Sequence, residues 1–121
     1  MLNSDFLKAN GIEYETTLER FCGREDLFEK YLLEFKKNYS LQKLEKAITN
    51  EEIGPAFFSA HDLKGTSGNL GMTNLYKLSC KLTELLRNVQ YPDMARIKST
   101  FDELQNVFKN ILEVLEKGIT E

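Results

Sequence analysis

Residues 55–71 read PAFFSAHDLKGTSGNLG, and their spacing defines one helix of an all-α protein. Apolar and small residues recur in this stretch at intervals of four, three, four and three, the spacing of one helix face; they are Ala56, Ala60, Leu63, Ser67 and Leu70. Pro55 lies where a proline opens a helix in its first turn, and Gly71 lies where a left-handed glycine ends one. The stretch therefore predicts a helix over residues 53–70.

The same apolar spacing continues on both sides of this helix. It predicts further helices over residues 25–49, 73–90 and 93–117, the last opened by Pro92 in its first turn. No segment alternates with period two, as a half-buried strand would. Short connections favour antiparallel neighbours. We therefore predict an all-α fold, an antiparallel up-down four-helix bundle.

Two shorter apolar patterns precede the bundle. One ends at Gly11 and the other at Cys22-Gly23, as helical turns with left-handed caps do. We expect these short N-terminal helical segments to pack on one end of the bundle, and the segment from Leu75 to Val89 to lie within it. The predicted core consists of large apolar residues and one alanine from all four helices: Phe28, Leu32, Phe35, Ala60, Leu63, Leu78, Leu82, Phe101, Leu104 and Phe108.

Composition restricts the class of protein. With 121 residues, 41% of them hydrophobic, the chain forms a single domain over residues 1–121 with its own core. A net charge of -3 argues against nucleic-acid or membrane-surface binding through a basic field. One histidine and two distant cysteines, Cys22 and Cys80, do not make a zinc site. Because the sequence has no long apolar run and its N-terminus is polar, we expect a cytoplasmic protein. Its initiating methionine and its last helix favour a free-standing protein.

The helix over residues 53–70 carries an unusual second face. Phe57, His61, Lys64, Gly65 and Gly68 lie together on the flank of its apolar line. Each interior glycine costs a helix about 1 kcal/mol relative to alanine. Without Cβ atoms at these positions, another protein's surface can approach the imidazole closely. The lysine, one turn along, places an ammonium where a dianionic group on the ring would sit.

Each of these residues also has a purely structural interpretation. A histidine on an amphipathic helix is commonly a boundary residue, and a lysine beside it is commonly solvated. Gly65 and Gly68 could instead allow a close helix crossing. A pair such as Phe57-Phe58 more often packs against the core than docks a partner. In the structural interpretation, Cys80 is a small buried or half-buried thiol on the third helix. Composition and spacing alone indicate a helical domain with one candidate histidine.

Residues 61–71, HDLKGTSGNLG, closely resemble the signature of histidine-containing phosphotransfer (HPt) domains of bacterial two-component phosphorelays. In that signature His-x-Leu-Lys-Gly-x-Ser/Ala, a small residue, one free position, an apolar residue and Gly surround the phosphorylated histidine. Residues 11–23 resemble the segment that begins the family's domain. The resemblance covers about residues 11–115.

The resemblance implies roles for individual residues. His61 would accept and donate the phosphoryl group, and Lys64 would compensate the charge of the phosphate. Residues on the same face would dock the partner: Phe57, Phe58, Gly65 and Gly68. Relatives often carry Cys followed by Leu-Glu where this chain has Ser79 and then Leu82-Thr83. A polar residue at the position of Thr83 often hydrogen-bonds near the phosphate, so Thr83 is a candidate for such a bond.

The chemistry of these residues agrees with the resemblance. An imidazole, with a reference pKa of about 6.5, is mostly neutral at physiological pH and attacks phosphorus without an added base. The sequence contains no Gly-rich nucleotide loop and no carboxylate cluster near His61, so we expect no cofactor, no metal site and no kinase or ATP site in this chain. Phosphoryl transfer usually needs a metal ion. The metal, Mg²⁺ by expectation, and the acceptor aspartate should therefore belong to a receiver domain.

Three functions follow as hypotheses. The first is a phosphorelay intermediate: a receiver aspartyl phosphate gives its phosphoryl group to His61, and another receiver domain takes it. Its partners would be receiver domains of response regulators and hybrid histidine kinases, and the protein would be a monomer. The second is a helical protein-interaction adaptor related to HPt domains but without phosphoryl transfer. The third is an enzyme using His61 as a general base, although no second titratable group in the motif would orient the ring.

Overall fold

The computed structural model describes residues 1–87 and 90–120 and is helical throughout, with two isolated β-bridges. Seven helices form over that part of the chain: α1 (Ser4–Ala9), α2 (Tyr14–Arg20), α3 (Glu25–Phe35), α4 (Ser40–Thr49), α5 (Ile53–Asn69), α6 (Thr73–Leu86) and α7 (Met94–Gly118). None of the helices in the described residues is long and apolar enough to cross a membrane. The all-α fold class is confirmed.

The four longest stretches of apolar periodicity supply the bundle. Helix α5 packs against both α4 and α6, and α7 packs against both α6 and α4, so the four helices close around a common core. The turns that join α4 to α5 and α5 to α6 contain only three residues each. Connections this short favour antiparallel neighbours, and the up-down order remains our prediction.

The predicted single helix over residues 25–49 is wrong, because the chain breaks between α3 and α4. The Asn38 side-chain oxygen accepts a hydrogen bond from the Ser40 backbone N–H at 2.7 Å. This local bond takes up a backbone N–H that a continuous helix would direct to the carbonyl four residues earlier, and so it favours the break. The break also shifts the apolar stripe, so that Tyr39 is 71% exposed whereas Leu41 is buried.

The other predicted boundaries agree to within one residue except at the end of α6, and the position predicted for Pro92 is also different. Helix α6 ends at Leu86, four residues earlier than predicted, and Val89 lies outside the described residues. Pro55 falls in the first turn of α5, as predicted. The same prediction is wrong for Pro92, which precedes the N-cap of α7: the Asp93 carboxylate accepts a hydrogen bond from the Arg96 N–H at 3.1 Å and starts the helix itself.

The predicted core residues are buried, with one exception. Leu78 is only partly buried and packs against the core from its edge. The buried stripe of α6 is centred one position further along the helix than the leucine spacing indicates, so that Ser79 and Thr83 are fully buried. Leucine spacing located the helix but misplaced its inward face by part of a turn.

The short N-terminal helices lie against the end of the bundle at which α5 and α7 both terminate. The Asn3 N–H donates to the Gly118 carbonyl at 2.8 Å, and the Glu13 N–H donates to the Gly71 carbonyl at 2.9 Å. Isolated antiparallel bridges join Leu2 to Ile119 and Ile12 to Met72 next to these bonds. The C-terminal ends of α5 and α7 therefore lie at the same end of the bundle.

Gly71 is the joint between this N-terminal segment and α5. Its φ of 72° is left-handed, and the Met72 N–H donates to the Ser67 carbonyl at 2.9 Å across it, as in a glycine-terminated helix. A Cβ atom at this position would collide with the Thr17 hydroxyl and lie 3.0 Å from the Glu13 carbonyl oxygen. Only glycine fits without displacement of α2.

We predict that Gly71→Ala destabilises the domain by about 2 to 4 kcal/mol, because left-handed strain adds to overpacking. Chemical denaturation followed by circular dichroism measures this. Gly54→Ala is the matched control, since Gly54 has an ordinary φ and a Cβ atom there would meet nothing within 4 Å. Equal midpoints for the two variants would contradict the role of Gly71 as a joint.

Candidate functional site

Helix α5 buries one face and exposes the opposite one. Ala56, Ala60, Leu63 and Ser67 are fully buried between α4 and α6. His61 lies on the exposed face near the middle of the helix, and its side chain is accessible. The predicted exposure of the imidazole is confirmed, so its ring nitrogens are open to a reactant from solvent or from another protein.

Phe57 supports the imidazole from the preceding turn. Its ring centroid lies 6.0 Å from that of His61, with 31° between the ring planes. The Arg87 guanidinium carbon lies 5.5 Å from the centre of the same phenyl ring, within the range of a cation–π contact. Since Phe57 is half-buried against the core, it restricts where the imidazole can move.

Phe58 occupies a different environment from its neighbour. The Phe58 ring is 71% exposed and meets Phe57 edge-on, with 5.9 Å between the centroids. An exposed phenyl ring on a small protein is available to a partner's apolar surface. Of the two predicted docking phenylalanines, Phe58 therefore has the geometry for docking, and Phe57 has that of a support for the imidazole.

A groove of about 700 Å³ runs beside His61 toward the C-terminal end of α5. Lys64, Gly65 and Gly68 line it together with the imidazole, as the sequence predicted for one helix face. Other elements also line it, with Arg20 from α2 and with Tyr76 and Lys77 from α6. Phe57, Phe58 and Thr83 are not among its lining residues.

The two glycines of this face differ in their surroundings. A Cβ atom at Gly65 would meet nothing within 4 Å, so no neighbouring helix depends on the missing side chain. A Cβ atom at Gly68 would lie 3.1 Å from the Tyr76 ring, tighter than ordinary contact. The close-packing interpretation therefore fails for Gly65 and fits Gly68, which makes room for Tyr76.

Thr83 is separated from the groove by its burial. Its hydroxyl donates to the Ser79 carbonyl at 2.6 Å, and the residue has no exposed surface. The structure does not bring this side chain to the site, so the candidate hydrogen bond to phosphate has no support from its placement. The hydroxyl of a threonine inside a helix commonly bonds to the carbonyl one turn back.

Arg20 is the residue that sequence reasoning missed. Its Nη2 donates to the carbonyl oxygens of Gly68 at 2.9 Å and Asn69 at 3.2 Å, which are the last carbonyls of α5, and to the Thr17 hydroxyl at 3.2 Å. A cation at this end of a helix also opposes the negative end of its dipole. The partners lie 48 and 49 residues away in sequence, so no local spacing indicates the contact.

The surroundings of Lys64 and Tyr76 differ. Lys64 is half-buried, and Cys80 is half-buried one turn along α6 from Tyr76. A hydrogen bond with the Cys80 thiol raises the pKa of the Tyr76 hydroxyl above its ordinary value. Over residues 1–87 and 90–120, no three histidine, cysteine, aspartate or glutamate side chains are grouped to hold a metal ion.

The sequence model of the Hpt domain family matches residues 26–117. This chain belongs to the Hpt domain family. Hpt domains are helical bundles that carry out histidine phosphotransfer in phosphorelays, where they interact with receiver domains. The match begins after residues 11–25, so the resemblance of that leading segment lies outside it. Comparison with curated proteins and with solved structures gave no significant match.

Proposed function

We propose that this Hpt domain is a phosphorelay intermediate. A receiver domain would give the phosphoryl group of its aspartyl phosphate to His61, and a second receiver domain would take it. The observation that carries the proposal is an accessible imidazole within the family motif, next to a glycine that leaves open space beside it. A reacting aspartate of another protein could approach the ring there without displacing a side chain.

The transfer requires no base from this chain. The unprotonated ring nitrogen of His61 uses its lone pair to form a bond to phosphorus, and the bond between phosphorus and the aspartate oxygen breaks. The aspartate leaves as a carboxylate with the electron pair, and the other ring nitrogen keeps its proton. In the second transfer a receiver carboxylate attacks phosphorus and the imidazole leaves. His61 is thus the acceptor and the donor.

The surrounding residues would hold the phosphorylated ring in place. Lys64, one turn from the imidazole and half-buried beside the groove, supplies positive charge near a dianionic phosphoryl group. Phe57 limits the motion of the ring, and Phe58 offers apolar surface to the partner. A divalent metal, Mg²⁺ by our proposal, would be supplied by the receiver domain.

The proposed partners are receiver domains of response regulators and of hybrid histidine kinases. We propose that the protein acts as a monomer in the cytoplasm, in the compartment of those partners, and without nucleic acid. The adaptor hypothesis shares the same exposed face and differs only in chemistry. Phosphoryl acceptance on His61 therefore distinguishes the two.

We predict that His61→Gln abolishes labelling by a phosphorylated receiver domain. The parent should acquire an acid-labile, base-stable label, as a phosphoramidate does, and the variant should acquire none. Because the side chain is exposed, the free energy of unfolding should change by less than about 0.5 kcal/mol. His61 is the only histidine in the chain, so a label that persists in the folded variant would contradict the assignment.

We predict that Lys64→Ala slows transfer or shortens the lifetime of the phosphohistidine by about threefold to tenfold without abolishing either, since the receiver brings its own charge-compensating groups. A time course of labelling measures the transfer rate, and decay of the purified phosphoprotein measures the lifetime of the phosphohistidine. Lys81→Ala is the matched control, because Lys81 is exposed on α6 and does not line the groove. If both variants behave as the parent, Lys64 is only a solvated side chain.

We predict opposite effects on stability and transfer at Gly65. Gly65→Ala should stabilise the domain by up to about 1 kcal/mol, since alanine is the better helix former and the space is open. Gly65→Gln should remain folded but transfer far more slowly, because its side chain occupies the approach to His61. Denaturation midpoints and receiver-to-Hpt transfer on the same samples decide this.

The docking role of Gly65 would be overturned by either of two results. One is a destabilised Gly65→Ala variant, which would mean that a neighbouring helix needs the glycine. The other is a Gly65→Gln variant that accepts the phosphoryl group at the parent rate.

A further inference from the structure

The groove beside His61 concentrates positive charge in an acidic protein. Acidic residues outnumber lysine and arginine by 19 to 16 over the whole chain. Three cationic side chains line the groove, Arg20, Lys64 and Lys77, against one carboxylate, Glu13. In the part of the chain that the structure describes, none of the three forms an ion pair. Their charges are therefore not neutralised by carboxylates of the described part of the domain.

Arg20 is held in position before any partner arrives. Its Nη2 is fixed by the carbonyl oxygens of Gly68 and Asn69, and its Nε and Nη1 have no hydrogen-bond partner among the described residues. A guanidinium that is already fixed on one side loses less side-chain entropy on binding than a free arginine, and each of its remaining N–H groups can donate one hydrogen bond to a carboxylate oxygen. Arg20 thus has the properties of an anchoring cation.

The shape of the groove permits a large partner rather than only a small anion. It is open to solvent, and Gly65, which lines it, leaves empty space where a side chain would stand. Lys77 of α6 lines one side of the groove, and Arg20 of α2 lines it near the end of α5. A convex protein surface could rest between them while one of its residues reaches the imidazole.

We propose that this groove docks the acidic face of the receiver domain, with Arg20 and Lys77 pairing with receiver carboxylates at the rim; the inference rests on the proposed function. A domain that binds a divalent cation beside an acceptor aspartate must gather carboxylates there, and the phosphoryl group adds negative charge. The complementary potentials speed encounter and fix orientation. The receiver's footprint runs from His61 across Gly65 and Gly68 to α2.

The test uses a receiver domain from the same organism that labels the parent, phosphorylated with acetyl phosphate in Mg²⁺. Initial transfer rates are compared for the parent, Lys77→Gln, Arg20→Gln and Lys81→Gln at about 0.05 M and about 0.5 M salt, which span strong and weak screening. Lys81 lies one turn from Lys77 and outside the groove, so it controls for net charge. Denaturation midpoints separate docking from folding, since Arg20 also holds the end of α5.

A second phosphoryl donor distinguishes a defect in receiver docking from a defect in the reaction of the imidazole. Phosphoramidate, a small molecule that phosphorylates histidine directly, does not need the docking surface. We expect Lys77→Gln and Arg20→Gln to lower the receiver-dependent rate by about threefold to tenfold at low salt, with the difference shrinking at high salt. Labelling by phosphoramidate should match the parent, and Lys81→Gln should match the parent with both donors.

Several results would overturn the inference. The docking role would be excluded if Lys77→Gln and Arg20→Gln transferred as fast as Lys81→Gln. It would also be excluded if their rates fell equally with the receiver and with phosphoramidate. Either result would leave the proposed function intact. If only Arg20→Gln transfers slowly and it is also destabilised, Arg20 acts by holding α5, and the cationic groove is not the docking surface. Failure of every receiver to label the parent would overturn both proposals.

Discussion

The packing of α5 between α4 and α6 is the constraint on which the rest of the molecule depends. Its inward residues are small or unbranched at Cβ, and Ala56, Ala60 and Ser67 have no exposed surface, so the neighbouring helices approach it closely. A helix enclosed on two sides keeps only one open strip along its length. His61 lies on that strip, and its accessibility follows because Ala60 and Leu63 turn the other side of the helix into the core.

A second constraint acts at the C-terminal end of α5. Gly71 turns the chain there, and the Glu13 N–H and the Arg20 guanidinium bind the last carbonyl oxygens of the helix and its turn. Backbone groups at a helix end have no partner within the helix, so these contacts satisfy atoms that would otherwise need water. The same contacts bring α2 beside the groove. Arg20, which binds the end of α5, is therefore also part of the surface around the imidazole.

Much of this arrangement could be predicted from the sequence, because strong local signals determine it. Apolar spacing and the terminal glycine located α5, and the charge and glycine pattern identified the face that carries His61 and Lys64. The break after α3 was missed because it is accompanied by a local hydrogen bond from the Ser40 N–H to the Asn38 side-chain oxygen, which apolar spacing does not indicate. Periodicity measures the average tendency of a segment and does not register one competing hydrogen bond.

A further error concerns α6, in which polar side chains are buried. The leucine spacing of α6 placed Leu78 in the core, whereas Leu78 is only partly buried and Ser79 and Thr83 are fully buried. A hydroxyl can be buried inside a helix when it bonds to a carbonyl one turn back, as that of Thr83 does. Such a residue reads as polar and exposed in the sequence. Contacts over long separations, above all those of Arg20, leave no local pattern at all.

The two glycines on the exposed face differ in whether a contact within the fold offsets their low helix propensity. Gly68 has a lower helix propensity than alanine would have at this position. Because its missing Cβ makes room for the Tyr76 ring, part of this cost is offset within the fold. Gly65 has the same intrinsic disadvantage and no contact that offsets it, since nothing lies where its Cβ would be. The open space beside Gly65 lies one turn from the only histidine of the sequence, which is why we propose that it serves the approach of a partner to the imidazole.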